Sequence, residues 1–161
     1  MRRKPAVLLD RDGVFNRDSE KSYVIEYSDL HFLPGALDAV RHLRDAGREV
    51  YLITNQAWVS RGLRSNGQAV VRDTLTQLRL HVRRSGGMLH GVEFCPHQDG
   101  DGCNCRKPQP GMILKAQMKY GIDLSRSVMV GDSWRDVEAA TAAGVGKVVF
   151  LRTRPTEAKV E

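Results

Sequence analysis

The chain has 161 residues, with 25 Lys and Arg against 19 Asp and Glu and a formal net charge of +6, a length that fits one domain and is too short for two full ones. No apolar run approaches a membrane span and no signal-peptide pattern opens the chain, so a soluble cytosolic monomer without a membrane partner is expected. The charge favours anionic partners, yet the basic residues are scattered and there are only four Phe, four Tyr and two Trp, so phosphorylated small molecules are better candidates than nucleic acid.

After a basic stretch read as frayed (Arg2, Arg3, Lys4), the apolar run Val7-Leu8-Leu9 predicts a buried strand that ends in Asp10-Arg11-Asp12-Gly13. Side chains at i and i+2 share one side of an extended chain. Asp10 and Asp12 are therefore expected to lean together and to need a cation, for which Mg²⁺ suits two carboxylates and substrate phosphate oxygens. A solvated Asp-x-Asp turn is the alternative.

Pro34-Gly35 opens a helix with Leu37, Val40 and Leu43 as its buried stripe and Gly47 as its stop. Val50 to Ile53 predicts a second buried strand, ending in Thr54-Asn55-Gln56. A helix over about 66 to 84 follows, with Val71, Leu75, Leu78 and Val82 inward, then a strand from Gly91 to Phe94. The next helix runs from Pro110-Gly111 to Tyr120, and Ser127 to Val130 predicts a strand that ends in Gly131-Asp132-Ser133. A helix through Val137 to Ala143 and a strand Val148 to Leu151 complete the pattern. Unbroken apolar strands alternating with helices imply a parallel sheet covered on both faces. Residues 1–153 read as one domain and 154–161 as a loose tail. Met112, Met118 and Met129 fall on predicted core stripes, and His31, His42, His81 and His90 have no spacing that suggests catalysis.

In a parallel sheet, strand ends meet at one edge, where ligands bind. Asp10 and Asp12, Thr54 and Asn55, Lys107, and Asp132 with Asp136 all lie at such ends. Beside them, Cys95-Pro96-His97 and Cys103-Asn104-Cys105 offer three thiolates and an imidazole, enough for a closed tetrahedral Zn²⁺ site in a loop over 95–105 that has no core of its own.

These motifs resemble the haloacid dehalogenase superfamily of phosphohydrolases, and the resemblance covers nearly the whole chain. It implies an α/β fold with a three-layer Rossmann-like parallel sheet and, since no stretch between motifs is long enough, no large cap domain. It further implies that Asp10 is the nucleophile, that Asp12 is the general acid and base, and that Thr54 and Lys107 hold the phosphoryl oxygens. Mg²⁺ would sit between Asp10, the backbone carbonyl of Asp12, and Asp132, with Asp136 orienting them. Asp-Arg-Asp-Gly, Thr-Asn-Gln, Cys-Pro-His and Cys-x-Cys-Arg-Lys-Pro together are similar to the heptose bisphosphate phosphatases, and more distantly to the histidinol-phosphate phosphatases.

By that likeness Arg106 recognises substrate. Asp18, Ser19, Glu20 and Lys21, together with Thr54, Asn55, Gln56 and Ala57, would line a sugar pocket, and Arg61 or Arg64 could meet a distal phosphate. Two positions depart from the pattern: Trp58 replaces a glycine, and Ser133, facing the substrate, replaces a lysine. Trp58 reads either as an aromatic platform for a sugar or as a loop anchor packed on the core. A receiver-type phospho-accepting module and a nucleic-acid 3′-phosphatase are the competing readings. The first would put its accepting Asp after a later strand, where this chain has Thr54.

Overall fold

The computed structural model describes residues 3–19 and 23–152. Strands β1 (Ala6–Leu9), β2 (Glu49–Asn55), β3 (Gly91–Cys95), β4 (Val128–Gly131) and β5 (Lys147–Phe150) form one sheet, all parallel and in the order β3-β2-β1-β4-β5. Helices α1 (Ala36–Asp45), α2 (Gly67–Arg84), α3 (Gly111–Tyr120) and α4 (Trp134–Ala143) connect them. The expected α/β architecture is present, and no large cap is inserted among the described residues.

Alternation along the strands builds two cores. Leu8, Tyr51, Ile53 and Met129 pack with Met112, Ile113 and Ala116 of α3 and Ala139 and Ala140 of α4. Leu9, Val50 and Leu52 face the other way and pack with Val40 of α1 and Val71, Leu75, Leu78 and Val82 of α2. A parallel strand covered on both faces has to be apolar at consecutive positions, which is why β1 and β2 read as unbroken runs.

Several expectations need correction. Met118 is 85% exposed on α3 and belongs to no core; three of the four residues after it are Tyr120, the helix-ending Gly121 and Ile122, and the burial falls to Ile122 instead. Lys4 is not frayed: its backbone bridges Ile122 through Lys4 N–H to the Gly121 carbonyl and Asp123 N–H to the Lys4 carbonyl. Thr54 and Asn55 lie within β2, not after it. Glu20, Lys21, Arg2 and the 154–161 tail lie outside the described residues. No helix among those described is long and apolar enough to cross a membrane.

The topology fixes the site. The chain steps from β1 outward to β3, then returns across the sheet to β4. The crossover direction reverses beside β1, and open sheets bind ligands outside the carboxyl ends at such a reversal.

Candidate active site

Asp10 follows the central strand. Its Oδ1 accepts hydrogen bonds from the Arg11 backbone N–H at 2.8 Å and from Lys107 Nζ at 2.9 Å. Lys107 is 2% exposed and also donates to Asp136 Oδ1 at 2.6 Å and to the Ile53 carbonyl at 2.8 Å. All three ammonium hydrogens are thus engaged. Burial works to lower the Lys107 pKa, and the paired Asp10 and Asp136 carboxylates more than reverse it. Burial pushes the Asp10 carboxyl up to about 7 against the pull of Lys107, and burial together with Asp136 and Asp18 raises Asp132 to about 6. The site holds more negative charge than Lys107 can neutralise.

Asp12 borders the same cavity as Asp10, as the two-residue spacing suggested, although β1 itself stops at Leu9. Its carboxylate faces the Arg11 guanidinium, with Nε to Oδ1 and Nη2 to Oδ2 both at 3.0 Å. Asn16 Nδ2 adds a donor at 2.9 Å and Gln56 Nε2 another at 3.3 Å. Arg11 is 1% exposed and reaches on to the Val24 carbonyl. Neither Arg11 nor Asn16 was singled out from sequence. An arginine enclosed between two strand-end aspartates was the available signal, since a charged residue is buried only when paired.

Gln56 Nε2 also donates to Thr54 Oγ1 at 2.8 Å, and Gln56 Oε1 accepts from Trp58 Nε1 at 2.8 Å. Trp58 is 1% exposed and packs in the α1/α2 core. It is an anchor, and the sugar-platform alternative is excluded by its burial. Thr54 is fully buried; its hydroxyl hydrogen finds no acceptor among the described residues.

The residues present fit a divalent cation. Carboxylate oxygens of Asp10, Asp132 and Asp136 lie within 4.8 Å of one another. A Cβ on Gly13 would sit 1.9 Å from Asp132 Oδ2, at φ +82°, so only glycine admits that carboxylate. Both Asp136 oxygens are engaged: Oδ1 holds Lys107, and Oδ2 accepts the backbone N–H groups of Asp132 and Ser133 at 3.2 and 3.1 Å. It orients Asp132 and Lys107. The Asp12 backbone carbonyl accepts no hydrogen bond among the described residues.

A second cluster lies at the end of β3. Cys95 Sγ is 3.7 Å from Cys103 Sγ and 3.1 Å from Cys105 Sγ, and His97 Nδ1 is 3.4 and 3.3 Å from the sulfurs of Cys95 and Cys105. Zn–S bonds of about 2.3 Å in a tetrahedron place ligand atoms about 3.8 Å apart, so these edges match a slightly contracted Zn²⁺ cage. Both ends of the loop are tied to β2. Gln56 N–H donates to the Cys95 carbonyl, and Asn55 exchanges two 3.1 Å hydrogen bonds with the Lys107 backbone. Asn55 thereby sets the height of Lys107.

Asp10, Asp12, Asp18, Asn55, Lys107, Asp132 and Ser133 border a cavity of about 180 Å³, as does Arg135, which sequence reading had passed over. A neighbouring cavity of about 310 Å³ is bordered by Ser19 and Gln56 and shares Asp12, Asp18 and Asn55. Ala57 is buried. Arg106 spends its guanidinium on Asp99 and the His97 carbonyl. Arg61 lies over the Tyr23 ring and Arg64 pairs with Glu26; neither borders these cavities.

Residues 104–159 match a hydrolase family described as HAD-hydrolase-like. Over 98% of its length the chain is 40% identical to the D-glycero-beta-D-manno-heptose-1,7-bisphosphate 7-phosphatase of Yersinia pestis, 86% of which is covered. The chain belongs to this family of haloacid dehalogenase-type phosphatases. The corresponding protein of Vibrio cholerae is 40% identical over 93% of the chain and 82% of its own length. Among solved structures, the D,D-heptose 1,7-bisphosphate phosphatase of B. bronchiseptica, complexed with magnesium and phosphate, superposes with a TM-score of 0.82 at 38% identity, covering 89% of this chain and 78% of that one. The haloacid dehalogenase fold accounts for the meeting of Asp10, Lys107 and Asp132 at one sheet edge.

Proposed function

We propose that this protein hydrolyses the C7 phosphate of D-glycero-β-D-manno-heptose 1,7-bisphosphate, with Asp10 as the nucleophile. The observation that carries this reading is Asp10 itself. One carboxylate oxygen is fixed by Arg11 N–H and Lys107, so the other is aimed at the cavity the residue borders. The relatives' common name supplies the substrate.

Asp10 attacks phosphorus in line, an oxygen–phosphorus bond forms, and the sugar oxygen leaves with a proton from Asp12. Water then attacks the aspartyl-phosphate, Asp12 takes its proton, and inorganic phosphate is released. Thr54 offers its free hydroxyl hydrogen to the phosphoryl group. Lys107, with no hydrogen to spare, acts through its charge. Asp10, Asp132 and the Asp12 carbonyl would hold Mg²⁺, which supplies neutralisation of the phosphoryl oxygens. Phosphate release should be measured on a panel of sugar bisphosphates, sugar monophosphates, histidinol phosphate and 3′-phosphorylated DNA. The heptose bisphosphate is expected to give the highest kcat/KM, and a preference for any other member defeats the assignment.

Cys95, His97, Cys103 and Cys105 would hold a structural Zn²⁺, all four positions being protein ligands. Purified protein is expected to contain one zinc per chain. Cys103→Ser should lose it, lower Tm by about 10 °C and reduce phosphate release, because Lys107 closes the same loop. An unchanged zinc content contradicts this.

The raised carboxyls make metal binding pH-dependent. In metal-free protein Asp10 ionises near 7 when folded and near 3.9 when unfolded. The folded state binds the extra proton between those values, so this group's contribution to stability is present at low pH and is lost as pH rises through the window. Mg²⁺ needs the ionised ligands. The Mg²⁺-induced rise in Tm is therefore expected to be larger at pH 8 than at pH 5, and an equal rise at both contradicts the assignment.

A further inference from the structure

We propose that Trp58 is a positioning residue for catalysis, acting through Gln56 to fix the direction of the hydrogen bonds at Asp12 and Thr54. This role rests on the reading of Asp12 and Thr54 given above.

An indole nitrogen can only donate. Trp58 Nε1 lies 2.8 Å from Gln56 Oε1, so that oxygen must be the acceptor and the amide nitrogen must point the other way. There it meets Thr54 Oγ1 at 2.8 Å and Asp12 Oδ2 at 3.3 Å. The reversed amide would set its NH₂ against the indole N–H and its oxygen against the Asp12 carboxylate. Both contacts are repulsive, and the first exists only because residue 58 is Trp.

The direction matters at Thr54. Its oxygen accepts from Gln56, so its own hydrogen is free for the phosphoryl group; with the amide reversed, that hydrogen would be given to Gln56 Oε1. At Asp12 the same amide nitrogen helps hold the carboxylate in place beside Arg11 and Asn16. Gln56 cannot escape by moving its backbone, which is tied to the Cys95 carbonyl at 2.7 Å. Gln56 is 2% exposed and Trp58 1%, so neither bond competes with solvent, and a donor lost there leaves a buried oxygen unpaired. Trp58 touches no substrate and acts only through its neighbour.

The test is steady-state kinetics of the full chain on the heptose bisphosphate and on an aryl phosphate, comparing wild type, Trp58→Phe, Gln56→Ala and the double variant. Trp58→Phe keeps an aromatic ring, of smaller volume, and removes the donor. It is expected to lower kcat about tenfold on both substrates with KM within twofold, and to cost nothing further in the Gln56→Ala background. A kcat within twofold of wild type, or the same tenfold loss repeated in that background, overturns the proposal. If Trp58→Phe does not fold, Gln56→Glu keeps the acceptor for Trp58 and removes the donor, and is expected to show the same fall in kcat; wild-type kcat there overturns the proposal equally. In wild-type protein the Trp58 indole hydrogen should exchange far more slowly than that of Trp134, which is 71% exposed. Equal rates also overturn it. A wild-type chain that releases no phosphate from either substrate defeats the proposed function and this role with it, whereas an active wild type, inert as Asp10→Asn but unaffected by Trp58→Phe, defeats only the role of Trp58.

Discussion

Asp10→Asn is expected to reduce phosphate release by at least about 10³-fold while leaving the protein folded and, without metal, more stable than wild type. The loss follows from removing the atom that bonds to phosphorus; an amide oxygen is too weak a nucleophile, and groups that act as a unit fail together when one is removed. The stability gain follows from the charges. Asp10 is pushed up to about 7 by burial, with Asp136 and Asp12 adding to the effect, so the neutral amide removes an unfavourable anion from the folded state. Thermal melts in chelator and phosphate-release assays check both halves. Activity within tenfold of wild type would remove Asp10 from the nucleophile's role.

Lys107→Met is expected to damage stability and activity together. The lysine stands between Asp10 and Asp136, at 2.9 and 2.6 Å, with side-chain exposures of 3%, 14% and 1%. Removing one member of a buried charged group leaves its partners uncompensated, at a cost of about 3–5 kcal/mol, which for a chain of this size is a fall in Tm of roughly 10 °C. Methionine fills much of the space, so the loss reports charge more than cavity. The fall is expected to shrink at low pH, where Asp10 takes up a proton, and phosphate release should drop by about 10²-fold or more as the phosphoryl group loses its nearest fixed cation. A variant that melts like wild type at neutral pH would show that Asp136 and Asp10 do not depend on Lys107.

Much of this arrangement could be read from the chain because the signals are local. Apolar runs that stop at Leu9, Ile53 and Val130 mark strands buried on both faces, and their common edge follows from parallel pairing alone. Three cysteines and a histidine within eleven residues declare a metal loop without any fold. What escaped was decided by partners far along the chain. Asn55 and Lys107 are 52 positions apart and Gln56 and Asp12 are 44 apart, and no spacing rule connects them. The two-residue spacing brought Asp10 and Asp12 to one cavity, but it could not show that the Arg11 guanidinium holds the Asp12 carboxylate there. Met118 is the position that spacing misplaced. Helical spacing gives a face, but what covers that face depends on where the helix ends against the sheet, and α3 leaves this position in solvent.

In the proposed reaction Asp10 and its neighbours release one phosphate from a heptose bisphosphate and leave the other in place. Phosphorus NMR of the reaction of wild-type protein with D-glycero-β-D-manno-heptose 1,7-bisphosphate and Mg²⁺ reads this directly. The expected spectrum shows inorganic phosphate and heptose 1-phosphate in equal amounts with wild type, and only the unreacted bisphosphate with Asp10→Asn. Retention of both sugar phosphates by wild type, or loss of the anomeric phosphate first, would contradict it.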